Sequence, residues 1–267
     1  MAEISYSDVA RDFLKLVGLP PAKPDHAFLC KLTRAFNRLP YENLTKVIRA
    51  TKTADPEKRL RTPDVILEEH IDMGAGGTCF SLTYFFQQVL FFAGYDSWPV
   101  FCDRSYGPDT HCAIIVPLSN MRFLVDPGYL MEEPLVIPTF GDSVQHSPTG
   151  MLRLMRLGTS KQLLLITERK GKTRIRYRLR DEPVSAIHFR SRWIDSFEWA
   201  MMRHLCVSRQ TGTGQLFMRD GVVRFTDKTK RAQDRIGRNF SREIEKAFGI
   251  DMRIVSAAQD ALKSRGA

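Results

Sequence analysis

The sequence predicts an α+β protein, because helical patterns fill the first part of its 267 residues and strand patterns fill most of the rest. Apolar residues recur at helical spacing over 27–36, and Thr62-Pro63 has the form of a helix start. Strand-like runs begin near residue 98. Hydrophobic residues make up 43% of the chain, which is enough to form a core and excludes global disorder.

Segment 79–93 predicts a central helix. It is apolar on every side, and glycines bound it at Gly76-Gly77 and at Gly94. A helix without a polar face must lie inside the protein. Cys79 is therefore expected at the first turn of a buried helix.

Strands are expected at 98–103, 111–118 and 122–125, with a turn at Ser119-Asn120 between the last two. Later elements are two hairpins, about Gly171 and about Asp220-Gly221, and two helices, at 242–248 and from Ser256.

The cysteines and the apolar segments bear on the compartment. Met1–Asp12 has no basic segment followed by an apolar run, and no uninterrupted stretch is long enough to span a membrane. The five cysteines are scattered and form no CxxC pair, which argues against disulfides and a zinc site: Cys30, Cys79, Cys102, Cys112 and Cys206. We expect a cytoplasmic protein that has free thiols, binds no metal and has no membrane partner.

The charge is unevenly distributed along the chain. Residues 1–150 carry 14 basic and 18 acidic side chains, whereas residues 151–267 carry 26 and 12. In the run 169–180, basic residues alternate with others as on one face of a strand. Such a face is either solvated or binds an anion, such as coenzyme phosphates, an acidic carrier protein or nucleic acid. No recognised nucleic-acid-binding module is visible.

The segment Gly74–Phe80 is the strongest candidate for chemistry. Its glycines allow close approach of a bound group, and Cys79 follows them at a helix N-terminus. The unpaired N–H groups and the helix dipole at that position favour a thiolate. The same amides could hold an acyl oxyanion. Cys79 is therefore a candidate nucleophile.

His111 and Asp126 are the candidate partners of Cys79. They lie on neighbouring predicted strands, and a turn with an even number of residues places them on one face, opposite or diagonal to each other. Asp126 can then orient His111, which removes the thiol proton of Cys79. Alternatively, His111 is a core histidine and Asp126 only opens the Asp-Pro-Gly turn.

Three segments of the chain resemble those of the arylamine N-acetyltransferases. Leu39–Leu44 is similar to the family's Pro-Phe-Glu-Asn segment, and Gly76–Phe80 to its Arg-Gly-Gly-x-Cys-Phe segment. Phe123–Tyr129 is similar to its Asp-Val-Gly-Phe segment. The resemblance covers residues 25–130 and extends more weakly to residue 250.

The resemblance implies a helical N-terminal lobe (1–85), a β-barrel middle lobe (86–200) and an α/β C-terminal lid (201–267), around a cysteine-protease-like core. It also implies a Cys-His-Asp triad at Cys79, His111 and Asp126. The implied activity is transfer of an acetyl group from acetyl-CoA, through a thioester on the cysteine, to a small-molecule amine. Residues that bind the coenzyme are not indicated.

The chain departs from the family pattern near the nucleophile. The family arginine that pairs with the glutamate corresponding to Glu42 is replaced by Ala75, so either another cation replaces it or Glu42 is placed differently. Ser81 and Thr83 replace the usual glutamate and asparagine, and Tyr129-Leu130 replaces Phe-Gly. These changes concern the substrate pockets rather than the triad.

Other functions remain open. An amide synthase of the same type would take its acyl chain from an acidic carrier protein and dock it on the basic half. A transglutaminase-like or papain-like hydrolase would admit water to the acyl-enzyme. An inactive binding module would keep the fold without the reaction.

Overall fold

The computed structural model describes residues 6–266. Residues 1–5 of the Met1–Asp12 segment, and residue 267 of the predicted lid, lie outside the described residues. The α-helices of the described part are α1 (Ser7–Leu16), α2 (His26–Phe36), α3 (Leu44–Lys52), α4 (Pro63–Met73), α5 (Cys79–Phe92), α6 (Ala186–Asp195), α7 (Phe240–Phe248) and α8 (Met252–Gly266). Short 3₁₀ turns lie at Glu57–Arg59 and Ala200–Arg203.

The strands of the described part are β1 (Tyr41–Glu42), β2 (Trp98–Arg104), β3 (Gly107–Leu118), β4 (Met121–Val125), β5 (Leu135–Val136), β6 (Asp142–Ser147), β7 (Gly150–Arg156), β8 (Gln162–Arg169), β9 (Lys172–Arg180), β10 (Cys206–Gln210), β11 (Gln215–Arg219), β12 (Val222–Thr226) and β13 (Arg231–Arg235). The three strands predicted between 98 and 125 and the two hairpins predicted about Gly171 and Asp220-Gly221 are confirmed.

The helical N-terminal part encloses α5, as its all-round apolar sequence predicts. Phe13 of α1 and Phe36 of α2 both pack on Phe85 of α5, with ring centroids 5.5 and 5.2 Å away. Nine of the fourteen residues of α5 are buried. Helix α5 is therefore a fixed central element, and Cys79 at its first position is held with it.

Strands β2 to β9 form one eight-stranded antiparallel sheet in the order β5-β4-β3-β2-β9-β8-β7-β6. Its two edges meet, because the Ser143 hydroxyl of β6 donates a hydrogen bond to the Val136 carbonyl of β5. The sheet is therefore a nearly closed barrel, with an interior filled by apolar residues such as Leu124, Leu165 and Leu179.

The β3–β4 hairpin sets the positions of His111 and Asp126. A two-residue turn, Ser119-Asn120, joins Leu118 to Met121, and Ile114 pairs with Val125. In this register Asp126 lies opposite residue 113, which is two positions from His111 on the same face. The predicted diagonal arrangement is confirmed.

The basic run 169–180 does not form one alternating face, in contrast to the prediction. Tyr177 pairs with Leu165, but the next residue of β8, Ile166, pairs with Ile175. This β-bulge adds one residue to β9 and reverses the phase of the strand. Arg178 is exposed on the outer face, whereas Arg174 shares the face of Tyr177.

The C-terminal part combines a five-stranded sheet, ordered β1-β10-β11-β12-β13, with α7 and α8. Met218 and Val207 of the sheet pack with Ile244 of α7 and Val255 of α8. Helix α8 begins at Met252 and not at the predicted Ser256, because the Asp251 carboxylate accepts a hydrogen bond from the Arg253 N–H and fixes an earlier start.

The predicted α+β class is confirmed: the described residues form a helical part, a nearly closed β-barrel and a smaller α/β part. No described helix combines the length and the apolar character that crossing a membrane requires.

Candidate active site

Cys79 lies at the N-terminus of α5, where the sequence places it. The first turn of α5 is closed by the Thr78 N–H, which donates a hydrogen bond to the Ser81 hydroxyl at 3.1 Å. Gly76 must be a glycine, because a Cβ there would stand 1.7 Å from the Pro40 carbonyl oxygen. The loop is thus packed tightly against the segment between α2 and β1, and it presents the thiol in one position.

His111 and Asp126 form a buried pair. The His111 Nε2 atom donates to Asp126 Oδ2 at 2.7 Å, and both side chains are almost fully shielded from solvent. Because Nε2 is engaged by the carboxylate, Nδ1 is the ring nitrogen available to Cys79. Gly128 lies against both Cys79 and His111, so the structure brings together all three residues predicted for the site.

Asp126 accepts two further hydrogen bonds. The Tyr177 hydroxyl donates to Oδ2 at 2.8 Å, and the Tyr129 N–H donates to Oδ1 at 2.8 Å. These donors hold the fully buried carboxylate in one orientation. Sequence reasoning missed Tyr177; its only signal was an aromatic residue within a strand of arginines.

The thiol and the imidazole have shifted proton affinities. Hydrogen bonding from the Cys112 thiol, and then from His111, lowers the pKa of Cys79 well below its usual range, although burial raises it. Burial lowers the pKa of His111, but the charge and hydrogen bond of Asp126 together with Cys79 raise it to about 9. Both shifts favour a thiolate beside an imidazolium.

Cys79 differs in this respect from the other thiols. Burial raises the pKa of Cys30, Cys102, Cys112 and Cys206, the last to about 12. All five cysteines are free. In the range 6–266 no cluster of His, Cys, Asp and Glu side chains is suited to hold a metal ion.

Gly128 closes the site from the β4 side. A Cβ at this position would stand 2.6 Å from the Cys79 Cβ and 2.9 Å from the His111 Cε1. The Asp-Pro-Gly turn therefore lies directly against Cys79 and His111. Any side chain at residue 128 would separate them.

Arg61 supplies the cation that is missing at Ala75. Its Nη1 atom lies 3.4 Å from Glu42 Oε1 and donates to the Gly76 carbonyl at 2.6 Å. Glu42 also accepts from the Thr45 N–H and hydroxyl, at 3.0 and 2.6 Å. Of the two alternatives left by the sequence, another cation therefore replaces the family arginine, and it comes from the segment before α4.

Comparison with known proteins places this geometry in a family. A model described as N-acetyltransferase matches residues 27–257, which is most of the chain. The chain belongs to this N-acetyltransferase family. The resemblance to arylamine N-acetyltransferases that the sequence motifs carry is thereby confirmed. No curated protein matches the chain significantly.

Solved arylamine N-acetyltransferases share the N-acetyltransferase fold of this chain at low identity. The enzyme from Mycobacterium abscessus is 16% identical, with a TM-score of 0.81, and the alignment covers 98% of this chain and 99% of that enzyme. The Salmonella typhimurium enzyme is 18% identical, with a TM-score of 0.78, and the alignment covers 95% of this chain and 98% of that enzyme. The Mycobacterium marinum enzyme, solved in complex with CoA, is 16% identical, with a TM-score of 0.79. The alignment covers 96% of this chain and 97% of that enzyme.

Two departures from the family pattern have structural roles in this N-acetyltransferase. Ser81 caps the first turn of α5 as described above, and the Thr83 hydroxyl oxygen lies 3.5 Å from the Cys112 sulfur. Both side chains are buried. They support the start of α5 rather than lining an open pocket.

Proposed function

We propose that this protein is an acyltransferase that moves an acetyl group from acetyl-CoA, through a thioester on Cys79, to a small amine. The observation that carries the proposal is the buried His111–Asp126 hydrogen bond of 2.7 Å beside a thiol at a helix N-terminus. A thiolate poised in this way attacks acyl carbonyl groups. Five free thiols suit a reducing cytoplasm.

In the first half-reaction the Cys79 thiolate attacks the carbonyl carbon of the donor thioester. The bond between that carbon and the coenzyme sulfur breaks, and the leaving thiolate takes a proton from the His111 imidazolium. N–H groups at the start of α5 stabilise the oxyanion that forms between the two steps. Thioester exchange between two thiols is close to balanced in energy, so a cysteine suits this donor.

In the second half-reaction the amine attacks the carbonyl of the Cys79 thioester. The neutral His111 imidazole takes the proton that the amine nitrogen loses, and the Cys79 thiolate leaves as the amide forms. Asp126 holds the imidazole in one tautomer and stabilises its charged form in both halves. Tyr177 and the Tyr129 N–H keep the carboxylate in place.

Steady-state kinetics with acetyl-CoA and an aniline test this order of events. Parallel double-reciprocal lines are expected, since the coenzyme leaves before the amine reacts, and Cys79→Ala should abolish transfer. Cys206→Ala is the matched control, because Cys206 is a buried thiol with a raised pKa. Intersecting lines would contradict a thioester intermediate. Acetate in place of acetylated amine would indicate a hydrolase instead.

A further inference from the structure

Five arginines of the barrel and of the five-stranded sheet have no acidic partner. They are Arg104 of β2, Arg174 and Arg176 of β9, Arg224 of β12 and Arg231 of β13, called here the arginine cluster. Within residues 6–266, no carboxylate oxygen lies at ion-pair distance from any of them, whereas Arg180 of the same basic run pairs with Asp103 and Asp109.

The bulge in β9 turns two of these arginines to the face of the strand that also carries Tyr177. Arg174 pairs with Thr167 and so lies on the face of Tyr177, the residue that donates to Asp126. Arg176 is the extra residue of the bulge, and its Nε atom donates to the Thr167 hydroxyl at 2.7 Å. Both arginines therefore belong to the face that also carries Tyr177.

The five-stranded sheet carries Arg224 of the arginine cluster on the face that contains Tyr41. Ladder pairs run from Tyr41 through Ser208 and Phe217 to Arg224, so these four residues share one face. Tyr41 also forms a bridge with Gly77, two residues before Cys79. These paired residues therefore run from the loop before Cys79 to Arg224.

Two contacts hold this face against the barrel. The Gln210 amide donates to the Leu130 carbonyl at 2.8 Å, just after the Asp126 turn. At the other end, the Arg169 Nε atom donates to the Asp227 carbonyl at 2.8 Å and joins the end of β8 to the end of β12. Gln210, Arg224 and Arg231 lie on the same face of the sheet. These two hydrogen bonds therefore hold that face of the five-stranded sheet against the barrel, to which Arg174 and Arg176 belong.

The arginines affect one another and the site. Burial and then the charges of Arg231, Arg174 and Arg176 lower the pKa of Arg224. Burial lowers the pKa of Arg104, but Tyr106, Tyr41 and Cys79 raise it, and the net change is a raised pKa. Positive charge that neighbouring carboxylates do not neutralise extends from Arg104 outward.

Aromatic rings orient two of the guanidinium groups. The Arg104 guanidinium lies 5.8 Å from the Tyr106 ring, and that of Arg224 lies 4.9 Å from the Phe217 ring. Stacked guanidinium groups keep their donors free for an oxygen ligand. This arrangement differs from that of Arg178, which is exposed on the outer face of β9.

We infer that the arginine cluster is a binding site for an anionic group, phosphate or carboxylate, of a substrate whose reacting end lies at Cys79. The inference rests on the proposed acyl transfer and deepens it. The anionic group has two sources that share this chemistry, the phosphates of the donor and a carboxylate on the acceptor amine. Arginine binds both through paired N–H donors.

Binding to the Cys79→Ala variant tests the inference without any turnover. The probes are adenosine 3′,5′-bisphosphate against adenosine, and 4-aminobenzoate against 4-aminobenzamide. We expect each of Arg176→Gln and Arg224→Gln to weaken binding of the charged member of one pair by about tenfold, since a charge-assisted hydrogen bond is lost. The uncharged member should be unaffected, and the difference should shrink as salt rises.

Arg178→Gln is the matched control, because it removes an arginine from the same strand but the outer face, and should leave all affinities unchanged. A defect with the bisphosphate assigns the site to the donor, and one with the benzoate assigns it to the acceptor. Equal affinity for charged and uncharged probes, or no loss in either cluster variant, overturns the inference. Acylation of wild-type Cys79 by p-nitrophenyl acetate separates this failure from that of the proposed function.

Discussion

Arg61 and Glu42 form an ion pair in the interior, with side chains 4% and 0% exposed and 3.4 Å between Nη1 and Oε1. The same Nη1 atom holds the Gly76 carbonyl, three residues before Cys79. The other side of the guanidinium lies against the Glu69 carboxylate of α4. One side chain therefore connects β1, α4 and the loop that precedes Cys79.

Removing Arg61 should destabilise the fold, because Glu42 would remain as a buried charge without its partner. For Arg61→Met we expect a loss of about 3–5 kcal/mol in the free energy of unfolding by urea. The double variant with Glu42→Gln should lose less than the sum of the two single changes. Arg11→Ala, at a half-exposed arginine, is the control and should change stability by less than about 0.5 kcal/mol. Additive effects would show that the pair is not coupled.

Asp126→Asn should reduce acetyl transfer on the order of 10⁴-fold, because the amide favours the wrong tautomer of His111. The rate of acyl-enzyme formation with acetyl-CoA measures it. The chain offers a matched control in the His204–Asp220 pair, which has a similar 2.6 Å contact but lies at the surface. Asp220→Asn should leave the rate unchanged, and similar losses in both variants would indicate a general structural effect.

Tyr177→Phe should reduce both stability and transfer, since Asp126 loses one of its three donors. A hydrogen bond to a charged group contributes about 1.5–3 kcal/mol, and we expect a loss of this size in unfolding by urea. Tyr95→Phe removes a hydroxyl that donates to the uncharged Asp25 carbonyl at 2.7 Å, remote from the site. It should cost about 1 kcal/mol and leave transfer unchanged. An unaltered rate for Tyr177→Phe would exclude a role in positioning Asp126.

The pH dependence follows from the two shifted groups. The pKa of Cys79 is lowered and that of His111 is raised to about 9, and both shifts favour the thiolate–imidazolium pair below pH 9. As the pH rises through about 9, the imidazolium loses the proton that the leaving thiol requires. The rate of acylation should therefore be level near neutrality and fall above pH 9. A rate that continues to rise above pH 9 would be inconsistent with His111 as the acid.

Brief alkylation separates the thiols. Near neutral pH, iodoacetamide should label Cys79 before the other four cysteines, whose pKa values are raised. Peptide mapping identifies the labelled residue. Preferential labelling of Cys112 or any other cysteine would remove Cys79 from the nucleophile role.

Local patterns carried the parts of the site that were predicted. The glycines and the apolar run after them predict the start of α5. The two-residue turn between β3 and β4 predicts that His111 and Asp126 lie diagonally opposite each other on one face. Arg61 was not predicted as the partner of Glu42, because the contact joins positions 19 residues apart and leaves no periodic signal. The bulge in β9 was also missed, since strict alternation over 174–180 gives no indication of an extra residue.

The central claim is that Cys79 carries the acetyl group, and intact mass followed by peptide mapping after incubation with acetyl-CoA tests it most directly. We expect one added acetyl group, located on Cys79, which is absent after prior alkylation and disappears when an arylamine is added. An unmodified chain, or an acetyl group on any other residue, would contradict the claim.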